Sequence, residues 1–361
     1  MNKQEFKQQL IKYLEIEAPS RYEKPVSDFF VKNIDKDKFN ISYDNFGSLI
    51  LHKKTNKTNL PKVMIAAHMD EVGYLVRQIH ELGQVLLSPI GGIWPTVVVG
   101  TKATWIDKNQ KKHYGVFGHT SIHIMESEKI SKSITNKEIY ADFGFKNKEE
   151  AIQKGMEIGD LVLISGETIQ LDNEDLVAGK AMDNRAGVCV LEYIAKEIQN
   201  LDLDCDLYLV GTVQEEVGTR GAKTAVSLIN PEIAIALDTT SSHDTIGTIA
   251  GTTKLGEGAA LRIMDGGMIA DPKLVNYLAK IAQEKNLKAY KFISMGGGTD
   301  ASALQYATGG ASVITISLPQ RYLHSPIGIC DVNDLLNAGN LLSEFIKDLN
   351  PQKYIDIIKY K

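Results

Sequence analysis

The chain has few cysteines and no long uninterrupted run of apolar residues. Cys189, Cys205 and Cys330 are scattered through 361 residues without metal-ligand spacing, so we expect buried free thiols of a reducing compartment rather than a disulfide framework. No stretch approaches the ~20 apolar residues of a membrane span, and residues 1–20 lack the apolar centre of a signal peptide. These features predict a cytoplasmic protein with no membrane partner.

Basic charge is also not in excess. The formal net charge is -5, and no cluster of Lys and Arg is interleaved with aromatic residues, so the sequence predicts no nucleic-acid partner. An apolar content of 43% over 361 residues is enough for a sizeable core and allows two or three domains.

Two segments with alternating helix and strand patterns flank a third in which strand patterns predominate. Residues 1–72 and 172–361 combine apolar strands such as KVMIAAH with amphipathic helices, which predicts an α/β catalytic domain with a mixed central sheet flanked by helices. Residues 73–171 contain short strands such as TVVVG and a helical pattern only near KNKEEAIQKGM. We expect them to form a small β-rich insert of barrel or PDZ-like form.

Metal-ligating residue types follow several apolar strands. The stretches MIAAHMD, LYLVGTVQEE and EIAIALD each run from apolar residues directly into an acid or imidazole. Because carboxylates are almost never buried unless they are paired or bound to metal, three such strands argue for one shared site. The set fits two divalent metals that share a bridging carboxylate. Its members are His68, Asp70, Asp183, Glu215, Glu216, Asp238 and His324.

His68 and Asp70 lie two residues apart at a strand end, where period-two geometry places both side chains on one side. His68 can then bind metal while the Asp70 carboxylate accepts the other ring N–H and fixes the tautomer. The alternative is a surface His-x-Asp sequence, which the preceding apolar strand disfavours.

Asp183 is predicted to bridge the two metals, since one carboxylate offers an oxygen to each ion. The alternative is a helix N-cap, a position where Asp is common. Gly179 and Gly187 flank this residue and allow close approach of the backbone, which favours the metal.

Glu215 and Glu216 end a strand that stops at Gly218. One of the two can bind metal while the other acts as general base, taking the proton of the metal-bridging water and passing it to the leaving amine. An acidic loop on a solvated face is the alternative.

Asp238 and His324 complete the two coordination spheres at the carboxyl ends of strands, where sites of open α/β sheets collect. The glycine-rich GGGTDAS, residues 296–302, lacks the Lys-Ser/Thr of a nucleotide-binding loop. We therefore expect a tight turn that lines the pocket.

In this order, HMDEVG, AGKAMDNRAG, QEEVGTRGA, ALDTT, DGGMIADP, GGGTDA and RYLHSP resemble the tetrahedral aminopeptidases, co-catalytic metallopeptidases that include glutamyl aminopeptidases. The resemblance extends from APSRYEKPV, residues 18–26, to RYLHSP. It implies a pair of zinc or cobalt ions, with Glu215 as general base and Asp70 orienting His68. The implied ligands are Asp183, Glu216 and His324 for one ion, and Asp183, His68 and Asp238 for the other.

The same resemblance implies that residues 73–171 form a dimerisation domain, and that dimers build tetrahedral dodecamers that trim short peptides from the N-terminus. Apolar strands such as VLLSPIGGIW and TVVVG are expected to expose edges that a second copy would cover. Two stretches depart from the family pattern. GHTSIH, residues 118–123, keeps only His123 of a Gly-Ala-Lys-Pro-Pro-His stretch, and SSHDTIG replaces a shorter Gly-Asp-Thr-Pro-Gly loop.

Three other functions stay open from the sequence. A metal-dependent amidohydrolase or deacylase would use the same metal site on small N-acyl substrates, a cellulase would need two carboxylates and no metal, and a silent scaffold would keep the residues without activity. Basic residues near the pocket loops could accept an acidic substrate side chain, although solvated surface charge is the commoner role of such residues. They are Lys254, Arg262 and Arg321.

Overall fold

The computed structural model describes residues 1–360. The strands are β1 (Phe39–Tyr43), β2 (Leu49–Lys53), β3 (Lys62–His68), β4 (Gly73–Ile79), β5 (Val85–Ile90), β6 (Lys102–Ile106), β7 (Lys112–Phe117), β8 (Tyr140–Asp142), β9 (Leu161–Ile164), β10 (Leu176–Gly179), β11 (Asp206–Thr212), β12 (Ile233–Ser241), β13 (Ala259–Met264), β14 (Ala289–Ile293), β15 (Ser312–Gln320) and β16 (Gly328–Asp331). The α-helices are α1 (Lys3–Leu14), α2 (Lys24–Lys32), α3 (Lys148–Gln153), α4 (Met182–Ile198), α5 (Arg220–Ile229), α6 (Pro272–Glu284), α7 (Ala301–Leu304), α8 (Val332–Asp348) and α9 (Pro351–Lys353).

Eight strands form one mixed sheet in the order β1-β2-β11-β3-β12-β15-β13-β14. The four central strands, β11, β3, β12 and β15, are mutually parallel. They read as nearly continuous apolar runs because helices cover both faces of a parallel sheet. Their carboxyl ends meet at one edge, so the residues that follow them come together. The α/β class predicted from the sequence is confirmed.

Helix boundaries follow the signals in the sequence. Asp271 caps α6 by accepting a hydrogen bond from the amide of Lys273, and Asp331 caps α8 through the amide of Asn333. Helix α4, one of two helices of 17 residues, packs against β3, β12 and α8. The three cysteines are free and buried. Within residues 1–360, no helix has both the length and the apolar character needed to cross a bilayer.

A closed barrel of six strands in the order β4-β5-β8-β7-β6-β9 lies between β3 and β10 in the chain. Tyr74, Trp105 and Phe117 fill its interior, each with no exposed surface. This confirms the β-rich insert but not its exposed strand edges, because closure pairs each barrel strand with a neighbour on both sides. Most apolar residues of VLLSPIGGIW and TVVVG are buried or partly buried. TVVVG is not a strand, because Pro95 opens a short 3-10 helix, Pro95–Val97.

A buried ion cluster ties the end of β3 to the start of α4. The carboxylate of Glu71 accepts hydrogen bonds from Lys180 at 2.7 Å and from Arg185 at 3.3 Å. Arg185 has no exposed surface and also donates to the carbonyls of Met69 and Ile16. Guanidinium groups suit such a buried cradle because they carry five donors in a planar fork. The cluster fixes the backbone that presents His68 and Asp70.

We expect Glu71→Gln to lower the free energy of unfolding by about 3–5 kcal/mol, because two buried cations lose their shared counterion. Urea unfolding followed by circular dichroism would measure the change. Asp28→Asn, which breaks a pair between two mostly exposed side chains, is the matched control and should leave the unfolding midpoint unchanged. Equal midpoints for the two variants would show that the cluster has no stabilising role.

Candidate metal centre

The carboxyl ends of the central strands gather the predicted site residues around one cleft of about 810 Å³. β3 ends at His68, β12 carries Asp238, and the segments after β11 and β15 supply the glutamates and His324. Asp70 lies behind the cleft with no exposed surface. The residues that line the cleft are His68, Asp183, Glu215, Glu216, Asp238 and His324.

Asp183 lies between two imidazoles. Its Oδ1 is 3.1 Å from Nε2 of His68, and its Oδ2 is 3.1 Å from Nε2 of His324. Each carboxylate oxygen thus faces a different histidine, which is the arrangement that a bridging ligand requires. The backbone is non-helical at Asp183 and Asn184, and the side chain of Asn184 accepts a hydrogen bond of 2.9 Å from the amide of Gly187. Asn184, not Asp183, therefore caps the helix that follows.

The two flanking glycines have other roles. A Cβ at Gly179 would come within 2.9 Å of Leu14, and one at Gly187 within 2.3 Å of the Asn184 side chain. Both glycines allow close packing around the start of α4. The close backbone approach expected at these glycines is thus found, and the neighbours nearest to them belong to Leu14, Thr168 and Asn184.

Potential ligand atoms form two groups of three that share Asp183. In each group the atoms lie within 4.8 Å of one another. Imidazole nitrogens and carboxylate oxygens suit zinc, and they also suit cobalt. Oε1 of Glu216 is buried and has no hydrogen-bond partner, an unmet acceptor that a cation would satisfy. The groups are His68, Asp183 and Asp238, and Asp183, Glu216 and His324.

Outer partners turn both imidazoles toward the cleft. Nδ1 of His68 lies 3.3 Å from the Asp70 carboxylate and 3.2 Å from its carbonyl oxygen. Nδ1 of His324 lies 2.6 Å from the carbonyl oxygen of Gly92. With a proton on Nδ1, each ring keeps the lone pair of Nε2 free for a metal.

Asp70 also holds the loop of the two glutamates. Its carboxylate accepts hydrogen bonds from the amides of Glu215 at 3.0 Å and Glu216 at 3.2 Å, and from Oγ of Ser20 at 2.6 Å. One buried carboxylate thus sets the position of His68 and of the backbone that carries both glutamates. Ser20 gave no signal in the sequence, because a serine in a loop contacts many kinds of partner.

The barrel contributes to the site through the connection between β5 and β6. Gly91 adopts φ +83°, and a Cβ there would come within 3.2 Å of Glu216. Only a glycine fits this close approach without strain. The adjacent Gly92 supplies the carbonyl that orients His324. Sequence reasoning missed both, since a backbone carbonyl carries no side-chain signature.

Crowded carboxylates dominate the electrostatics of the cleft. Burial raises the pKa of Glu216 to about 8, and the negative charge of Asp183 adds to the shift. Burial likewise raises the pKa of Glu215 well above its ordinary value. At Asp183 burial acts in the same direction, but hydrogen bonds from His324 and His68 outweigh it and hold the pKa below its usual range. Such a cluster favours bound cations, which stabilise the ionised carboxylates.

The two glutamates differ in position. Glu216 belongs to one of the groups of potential ligands, whereas Glu215 belongs to neither, although it lines the same cleft. The two glutamates therefore differ in whether they can share a cation with Asp183.

Asp300 is a further acidic residue that the sequence interpretation passed over. It lies in GGGTDAS, is 2% exposed, and accepts a hydrogen bond of 2.5 Å from Oγ1 of Thr212. Burial raises the pKa of Asp300 to about 7. The glycines 296–298 of the same stretch line the cleft, as expected of a tight turn. Of the three basic residues considered from the sequence, only Arg262 lines it.

Comparison with known proteins connects this geometry to one family. Residues 47–341 match the sequence model of the family described as M42 glutamyl aminopeptidase. The chain is 34% identical to a glutamyl aminopeptidase of Lactococcus lactis subsp. cremoris, over 96% of this chain and 97% of the relative.

Two solved structures have the same fold over nearly their whole length. The aminopeptidase APDkam598 from the archaeon Desulfurococcus kamchatkensis superposes with a TM-score of 0.92 at 33% identity, covering 99% of this chain and 98% of that one. The TET1 peptidase of Pyrococcus horikoshii, described as able to assemble into a tetrahedron or a large octahedral shell, gives a TM-score of 0.85 at 27% identity, covering 95% of this chain and 100% of that one.

Proposed function

The chain belongs to the M42 glutamyl aminopeptidase family, and on that premise we propose that it removes N-terminal residues from short peptides with two divalent metal ions. The family makes it a peptide hydrolase. The observation that carries the metal proposal is Asp183, whose two oxygens each face a different histidine at 3.1 Å. Zinc and cobalt both fit the donor set.

We assign the ligands by the two groups that share Asp183. Glu216 and His324 would complete one site, and His68 and Asp238 the other. When bound, a metal pair polarises the scissile carbonyl and lowers the pKa of water.

Glu215 acts as general base in this proposal. Its carboxylate lines the cleft without belonging to a ligand group, so it can take a proton from the attacking water and deliver it to the leaving amine. Asp70 positions it, because the Glu215 amide donates to the Asp70 carboxylate. Asp70 orients His68 at the same time, so one residue aligns the base with a metal ligand.

Family membership favours peptide hydrolysis over the three alternatives. An amidohydrolase on N-acyl substrates would need the same metals, a cellulase would need none, and a scaffold would need neither metal nor base. We expect metal-loaded enzyme to release p-nitroaniline from aminoacyl p-nitroanilides, to leave N-acetyl amino acids intact, and to lose its activity on chelation. Release of acetate from N-acetyl amino acids without hydrolysis of the anilides would favour the amidohydrolase, and cellulose hydrolysis that survives chelation would favour the cellulase.

We further propose that residues 73–171 form an inserted dimerisation domain and that residues 1–72 and 172–361 form the catalytic domain. The barrel strands β4 to β9 all lie within the insert. Several apolar side chains on the insert are more than half exposed, which supports a covering partner. They are Trp94, Ile122 and Ile124. Assembly beyond the dimer would follow the tetrahedral relatives, and the cytoplasmic location stays a prediction.

Light scattering on the purified full chain is expected to give the mass of a dimer or of a larger tetrahedral assembly at micromolar concentration. Trp94→Asp combined with Ile124→Asp should shift the mass toward the monomer, because charges would then lie on the proposed contact. Leu228→Asp, at an exposed apolar residue of α5, is the matched control. A monomeric mass for the unmodified chain would contradict self-association.

A further inference from the structure

Part of the lining of the cleft is apolar. Ile249, Ile293 and Met295 line it while 74%, 55% and 92% exposed, and the ring of Phe292 lies beside them. Apolar side chains left exposed in a concave surface next to a reactive site are typical of a substrate subsite.

The one arginine that lines the cleft is already neutralised. The Arg262 guanidinium donates to Asp265 at 3.1 Å and to Oγ of Ser317 at 3.0 Å, and it also donates to the carbonyl of Thr239 at 3.3 Å. Arg262 is 4% exposed, and the Asp265 side chain has no exposed surface. A buried pair of this kind has no charge to offer a substrate carboxylate.

Lys291 also lines the cleft, but its ammonium group points away from it. Neighbouring residues of a strand point to opposite faces, and Phe292 lies on the face of Arg262, whose guanidinium is 5.5 Å from the Phe292 ring. Lys291 therefore points to the other face, where its Nζ donates to Oδ1 of Asn276 in α6 at 2.9 Å.

The remaining charges do not alter this result. Arg321 forms two hydrogen bonds with Asp244, at 3.1 and 2.6 Å, and neither Arg321 nor Lys254 lines the cleft. Among residues 1–360, the carboxylates that line it are those of the metal centre alone. Apart from the imidazole of His243, which also lines the cleft, an acidic substrate side chain would thus find no partner of opposite sign.

We propose that the cleft selects peptides whose N-terminal residue has a neutral, apolar side chain, such as Leu, Met or Phe, and discriminates against Glu and Asp. This inference rests on the proposed aminopeptidase function. Asp265 is a specificity-determining residue in this proposal, because its carboxylate neutralises Arg262, the only arginine that lines the cleft. An acidic side chain would have to leave water for apolar surroundings without gaining a Lys or Arg counterion.

The first test is a panel of aminoacyl p-nitroanilides with the metal-loaded full chain. We expect kcat/KM for the Leu substrate to exceed that for the Glu substrate by about tenfold or more, a ratio that hydrophobic pockets reach by fit alone. A higher kcat/KM for Glu than for Leu would overturn the inference and leave the aminopeptidase proposal intact. No hydrolysis of any member of the panel would contradict the aminopeptidase proposal itself.

The second test removes the counterion. Asp265→Asn keeps the acceptor oxygen that holds the amides of Gly267 and Met268 but frees the charge of Arg262, so the Glu-to-Leu ratio of kcat/KM should rise about tenfold or more. The matched control is the double variant Arg262→Met with Asp265→Asn, which should return the ratio to that of the unmodified chain. An unchanged ratio in a folded Asp265→Asn protein would show that Asp265 does not set specificity. If Asp265→Asn does not fold, the panel alone decides the inference.

Discussion

Replacing Glu215 by Gln is expected to lower kcat by about 10²- to 10⁴-fold, the usual contribution of a general base. The amide keeps the shape of the side chain but cannot accept the proton of the attacking water. Because Glu215 lies outside both groups of potential ligands, the metal content and the circular dichroism spectrum should stay those of the unmodified chain. Steady-state kinetics together with metal analysis measure both effects.

The neighbouring residue provides the contrast. Glu216→Gln likewise removes one negative charge, at the adjacent position. Because Glu216 is a proposed ligand, this variant should lower metal content as well as activity. If Glu215→Gln retained near-normal turnover, or if it lost metal as Glu216→Gln does, Glu215 would not be the base.

Asp183→Ala is expected to lower metal occupancy at both positions, since Asp183 alone belongs to both ligand groups. Loss of an outer partner already costs about 10- to 100-fold in metal affinity, so loss of a direct bridging ligand should cost more than about 100-fold. Elemental analysis after dialysis against a weak chelator would count the ions per chain.

Single-site variants make this test specific. His68→Ala and Asp238→Ala remove ligands from one group only, so each should lower mainly one of the two occupancies. A count of two ions per chain for Asp183→Ala would exclude a bridging role. Loss of both ions in His68→Ala alone would instead show that the two positions cannot fill independently.

The position of the site could be predicted from the sequence because its signals are local. An apolar run that ends in an acid or imidazole indicates a buried strand end, and parallel strands bring such ends to one edge. His68, Glu216 and Asp238 were found in this way. Helix caps such as Asp271 and Asp331 were equally clear, because a cap is defined by residues within one turn.

Contacts between distant segments could not be predicted in the same way. Two such contacts are the hydrogen bonds of His324 with the Gly92 carbonyl and of Asp70 with the Ser20 hydroxyl. The burial of Asp300 likewise depends on how distant segments pack. Closure of the barrel also depends on pairing between distant strands. It covers the edges that an open sheet would expose, so the prediction of exposed strand edges was wrong.

The sequence by itself determined the α/β class, the β-rich insert and the identity of the acids and imidazoles around the cleft, because periodicity and residue chemistry are read within short windows. Residue spacing alone did not show which of those groups share Asp183. The family resemblance implied the grouping, and the distances in the folded chain place the same ligand atoms together. Only the tertiary structure showed that Asp265 neutralises Arg262, which the sequence offered as a free cation. Charge pairing depends on distances of a few ångströms between side chains, and these are set by how the strands and loops pack together.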